Sequence, residues 1–141
     1  MMFAHEAGVA IPLVMITLWL QCGGMAILIS WVRRVAARDI HKLGPFYTAA
    51  LFVRLTTAIV ALHLLEILLW AGRYRWLCFS SWESAFYFSA TSYTTVGYGD
   101  VILPLKWRML GPLESVTGVL MCGISVSLLF ATVTRLIGRD A

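Results

Sequence analysis

The sequence predicts an all-α integral membrane protein, with three transmembrane helices and one shorter, re-entrant helix in each chain. Three observations carry that expectation. Of the 141 residues, 60% are hydrophobic and 13% charged, a balance far from that of a soluble domain. Three apolar runs are each long enough to cross a hydrocarbon core of about 30 Å, which needs roughly 20 helical residues. A fourth run, lying between the second and third, has only about half that length.

The first run, 9–32, ends against Trp31, Arg33 and Arg34. No lysine or arginine precedes it and no small-residue cleavage pattern follows, so it reads as a retained helix and not as a signal peptide. Gln21 and Gly23-Gly24 interrupt it only mildly. The second run, 46–71, starts just after Gly44-Pro45, a favourable helix opening, and ends at Trp70 with Gly72 beyond. The third, 111–137, opens at Gly111-Pro112 and closes with Arg135 and Arg139.

The polar residues exclude several functions. The net charge is +4, but the basic residues sit in short clusters beside apolar runs, as topology determinants do, and not in a nucleic-acid-binding stripe. The three cysteines show neither CxxC nor Cys/His ligand spacing, which speaks against zinc and a disulfide framework. No nucleophile, base and orienting group can be assembled, so an enzyme is not expected. The first run lacks arginines at three-residue spacing, so neither is a voltage sensor of the usual kind.

The short run, 81–94, is expected to enter the membrane and turn back. Such backbone is tolerated only where protein buries it or where it lines a water-filled path, so the run predicts a pore. Ser80 followed by Glu83 has the form of a capping box that would start its helix. Directly after it, Thr94 to Asp100 read TTVGYGD. A dehydrated cation needs oxygen on all sides, and successive carbonyls supply it when the backbone alternates in handedness. Gly97 and Gly99, without Cβ, accept positive φ cheaply and allow that alternation.

TTVGYGD resembles the signature of potassium channels, whose filters are rings of such carbonyls. The resemblance runs over 46–137 and is to the outer helix, pore helix, filter and inner helix of small bacterial two-helix potassium channels. It implies a pore domain at 46–141, with 1–45 as an extra N-terminal transmembrane helix and basic interfacial link. It also implies K+ as the permeant ion, held by Thr95, Val96, Gly97 and Tyr98, with Thr94, Tyr87, Gly99 and Asp100 supporting the filter and no organic cofactor. By the same resemblance the Thr95 hydroxyl is expected to add an inner ligand, with Val96 and Tyr98 turned outward into packing. Ala85-Phe86-Tyr87-Phe88-Ser89 is similar to the pore helices of two-pore-domain channels, so Tyr87 is expected to donate a hydrogen bond towards Asp100. Thr91 stands where some bacterial channels carry a glutamate that pairs with this aspartate. Gly123 matches a hinge glycine, with close helix packing as the alternative, and Ile124, Ser125, Leu128 and Thr132 are candidates for lining the path below it.

Encircling an ion takes four loops, so a cyclic homotetramer is expected. The expected site is the inner or cytoplasmic membrane, with the N-terminus outside and the C-terminus cytoplasmic. A weakly selective cation channel and a non-conducting scaffold or regulatory subunit are the rival readings. His63 and Glu66, three apart in the second span, share a helix face and form a candidate pH-sensitive pair. Arg33, Arg34, Arg38 and Lys42 are either a topology signal or a contact for anionic lipid. Trp31, Trp70, Trp76, Trp82 and Trp107 read as interface anchors.

Overall fold

The computed structural model describes residues 2–36 and 44–137. Arg38, Lys42 and Arg139 lie outside the described residues. The described chain is all-helical: α1 Met2–Ala36, α2 Pro45–Leu77, the short α3 Trp82–Tyr93, a 3₁₀ turn at Leu105–Trp107, and α4 Leu110–Ile137. Three of these helices are long and apolar enough to cross a membrane, and α3 is not among them. The molecule is an integral membrane protein of three such helices plus one short one.

α2 continues past Gly72, where the sequence suggested a stop, and ends at Leu77. Tertiary packing overrides the glycine's low helix propensity. Tyr74, fully buried, stacks edge-on against Phe88 of α3 at 5.0 Å and 89°. The chain then leaves α2 through Cys78 and Phe79, whose N–H groups both return to the Tyr74 carbonyl. Ser80 is still part of this exit, so the cap of α3 falls one residue later than expected. Ser81 is the N-cap, extended at φ −120°, and its hydroxyl accepts the Ser84 N–H at 3.1 Å. Glu83 remains in the first turn, where a carboxylate favours the helix dipole.

α1 packs against α2 and α4. Its Thr17 hydroxyl accepts the Trp70 indole N–H of α2 at 3.1 Å, and Val32 packs with Leu55 and Ile59, so α1 and α2 are antiparallel. Glu6 accepts the Met109 N–H at 2.9 Å, while Gln21 reaches Met121 and Ser125; α1 and α4 therefore run in the same direction. The N-terminus, the link into α3 and the start of α4 all lie at one end.

Two of the expected interface tryptophans are core residues instead. Trp70 is fully buried and Trp107 nearly so, in a cluster with Ala10, Leu13, Tyr74, Phe88 and Leu110. Both are covered because α1 lies over the end of α2 and the start of α4. Trp76 and Trp82 are exposed, as an anchor at the membrane surface requires.

Candidate functional site

The loop 94–100 follows α3 without a break. Thr94 caps the helix, its N–H bonded back to Ala90, and the N–H groups of Thr95 and Gly97 return to the carbonyls of Ser92 and Thr91 at 3.0 and 3.1 Å. Positive φ then recurs at every second residue: 63° at Thr95, 51° at Gly97 and 79° at Gly99, the only three such values among the described residues. Alternation of this kind turns successive carbonyls in a common direction. Two of the three positions are glycines, for which the region is cheap. Thr95 is β-branched, and holding it there stores strain of the sort found at functional sites.

All residues of the loop are exposed. Val96 and Tyr98 are 51% and 72% exposed, so the packing expected for them is not supplied by this chain. One side chain reaches the loop from α3: the Tyr87 hydroxyl donates to Asp100 Oδ2 at 2.8 Å. That bond to the Asp100 carboxylate raises the Tyr87 phenol above its ordinary value. Asp100 also accepts the Val101 N–H at 3.0 Å. Thr91 makes no bond to Asp100; its hydroxyl returns to the carbonyls of Tyr87 and Phe88.

Behind the loop the contacts are dense and buried. Glu114, fully buried in the second turn of α4, accepts the Tyr74 hydroxyl at 2.8 Å and lies 2.5 Å from Ser89 Oγ of α3. Ser115 donates to the Ser92 carbonyl at 2.7 Å. Gly118 permits a close approach of two backbones. A Cβ there would lie 2.2 Å from the Tyr93 carbonyl oxygen, so the end of α3 rests on the backbone of α4. Tyr93 donates to the buried Glu66 of α2. His63 Nδ1 faces the Tyr93 hydroxyl at 2.8 Å and Glu66 Oε2 at 3.3 Å, while Nε2 lies 3.0 Å from Ser125 Oγ.

The structure thus brings His63 and Glu66 together, and joins to them three residues that sequence reasoning did not single out for this site: Gln21, Tyr93 and, in this role, Ser125. Glu114, Tyr74 and Gly118 were also missed. Polar side chains inside otherwise apolar runs were the signal for Gln21 and Glu114. Ser125 and Thr132, expected along a path below Gly123, are instead buried within the protomer, Ser125 against Gln21 and His63. Leu128 packs with Val32, Leu55 and Ile59. The bare face of α4 carries Val119, Gly123, Val126 and Phe130. A Cβ at Gly123 would meet nothing within 4 Å, so no packing among the described residues demands that glycine.

A short helix ending in a loop of alternating handedness, set between two long apolar helices, is what the comparison with known families also picks out. A family model described as ion channel matches residues 62–135, just over half of the chain. The chain belongs to this ion channel family. The matched segment of the channel starts inside α2, takes in α3 and the loop, and ends near the close of α4. Passive movement of ions across a membrane is therefore the activity of this channel's class, and no enzyme family is indicated. Comparison with curated proteins and with solved structures returned no match.

Proposed function

We propose that the chain is one subunit of a cyclic homotetrameric, potassium-selective channel in which the carbonyls of Thr95, Val96, Gly97 and Tyr98 replace the water shell of K+. The observation that carries this reading is the positive φ at Thr95, Gly97 and Gly99, because carbonyls aimed one way can line an axis. Potassium is the ion suggested by the TTVGYGD sequence. The bareness of Val96 and Tyr98 supports assembly, since apolar and aromatic side chains of this exposure require cover. A cleft of about 460 Å³ beside Thr95, Gly97 and Ile102 is open on the same protomer, and a neighbouring subunit would close it.

In this reading Thr94, Gly99, Asp100 and Tyr87 support the filter. The C-terminal end of α3 carries about −0.5 charge, so four copies favour a cation at the inner mouth. Residues 46–141 form the pore unit and 1–45 brace it. Gly123, on the bare face of α4, is the hinge candidate. Arg33 and Arg34 end α1 and, with Arg38 and Lys42, favour the cytoplasmic side and contact with anionic lipid of a bacterial membrane. The N-terminus is then outside.

The test is flux into liposomes containing the purified chain alone, under a potassium gradient and with sodium as competitor. Potassium uptake that sodium does not replace is the expected result. Equal passage of both ions would mean a weakly selective channel, and assembly without flux a scaffold. Tyr98→Val is expected to shift the reversal potential towards sodium.

A further inference from the structure

The contacts behind the loop have a direction. Gln21 is fully buried in α1, and its amide nitrogen lies 2.9 Å from both the Met121 carbonyl and Ser125 Oγ of α4. That nitrogen has two hydrogens to donate and accepts nothing. Turning the amide over would set its oxygen 2.9 Å from the Met121 carbonyl oxygen, acceptor against acceptor, so the orientation is settled. Ser125 therefore receives from Gln21 with one of its two lone pairs, and the acceptor that the described residues offer its own hydrogen is His63 Nε2 at 3.0 Å. A ring nitrogen that accepts carries no hydrogen, which in neutral imidazole leaves it on Nδ1. Nδ1 faces the Tyr93 hydroxyl at 2.8 Å, and Tyr93 donates to Glu66.

We propose that Gln21 is a positioning residue for the filter: from the first helix it fixes His63 as the Nδ1–H tautomer. It thereby orients one run of donations, Gln21 to Ser125 to His63 to Tyr93 to Glu66, across all four helices. The inference rests on reading 95–99 as the ion filter, because Tyr93 is the last residue of α3 and stands two before Thr95.

The order matters because of where it ends. Glu66 is fully buried and its Oε1 has no partner among the described residues, so its stabilisation comes through Oε2, from the Tyr93 hydroxyl and from His63 Nδ1 at 3.3 Å. Without Gln21 nothing holds the Ser125 hydrogen towards Nε2, and the hydroxyl can turn to accept from a protonated Nε2. Nδ1 then becomes an acceptor and competes with Glu66 for the Tyr93 hydrogen, and a buried carboxylate that loses its donor is strongly destabilising. The other titratable groups around Tyr93 are Glu114 and Cys122 of α4; from α1 this cluster receives only the neutral Gln21 amide.

The experiment is solid-state NMR at neutral pH on the reconstituted chain carrying ¹⁵N-histidine, with the His63 signals assigned by their loss in His63→Gln. Wild type is expected to show hydrogen on Nδ1 and a bare Nε2. Gln21→Leu is expected to bring up the Nε2–H form and to lower potassium flux about fivefold, the weight of one network hydrogen bond. Gln21→Met, which keeps the side chain's length without its donors, should release the same form and carries the test if Gln21→Leu fails to assemble by size-exclusion chromatography. Hydrogen on Nε2 in wild type, or an unchanged tautomer in both variants, would overturn the proposal. The labelled-ring readout needs no permeant ion. Wild type with Nδ1–H and no potassium flux would therefore overturn the filter reading while leaving the tautomer assignment in place.

Discussion

The front and the back of the loop 94–100 are held in opposite ways. On the front, every residue is exposed, and Asp100 steadies the turn by accepting from the Tyr87 hydroxyl and the Val101 N–H. On the back, the end of α3 is fastened to α2 and α4 through Glu66, His63, Ser115, Glu114 and the bare backbone at Gly118. The contrast separates two tasks. One chain completes the mounting of the loop by itself, whereas the loop's own face stays bare in that chain.

Substitutions on the two sides should therefore fail differently. The largest effect is expected on the front, at Gly99, where φ is +79°. An L side chain costs about 1–2 kcal/mol in that region, and the proposed ring repeats the cost in every subunit. Gly99→Ala is expected to abolish potassium flux while the size-exclusion profile stays that of wild type; flux at the wild-type level would place the pore elsewhere.

Gly118→Ala comes next and tests the back. Its methyl would lie 2.2 Å from the Tyr93 carbonyl oxygen, so backbone has to move, at about 1–3 kcal/mol. Gly123→Ala meets nothing within 4 Å in the protomer and is its control. Thermal unfolding in detergent should show a lower midpoint for the first and little change for the second, and equal midpoints would deny that α3 rests on α4. A smaller loss is expected for Tyr74→Phe, which removes one donor to Glu114 and should cost about 1 kcal/mol in the same measurement.

The smallest effect belongs to Tyr87→Phe. The bond to Asp100 raises the Tyr87 phenol above its ordinary value of 10.0. A raised pKa contributes stability that is fully present below the unfolded value and is lost as pH rises through the folded one. The gap in unfolding midpoint between wild type and Tyr87→Phe should thus be constant at neutral pH and shrink above about pH 10. A gap that widens in alkali would show that this bond does not hold the turn.

Much of the architecture was legible in the sequence because run length and glycine placement carry it. The three long helices, the short fourth and the positive φ at Gly97 and Gly99 are of this kind. Facing was not legible. In helices apolar all round, periodicity does not say which side meets a neighbour, so Trp70 and Trp107 looked like anchors and Ser125 and Thr132 like pore lining. Gln21 and Ser125 lie 104 positions apart, and nothing local in either run marks the other as its partner. The Ser81 cap was misplaced by one residue because the exit from α2, set by buried Tyr74, decides where α3 can begin.

The parallel course of α1 and α4 also bears on how the chain is made. Translation delivers the N-terminal helix to the bilayer first, yet the partners of its Gln21 amide, Met121 and Ser125, are synthesised about a hundred residues later. Until the last helix arrives, that amide must share whatever polar groups the nascent protein offers, because lipid supplies none. The synthesis of α4 is therefore the step at which α1 becomes locked in place.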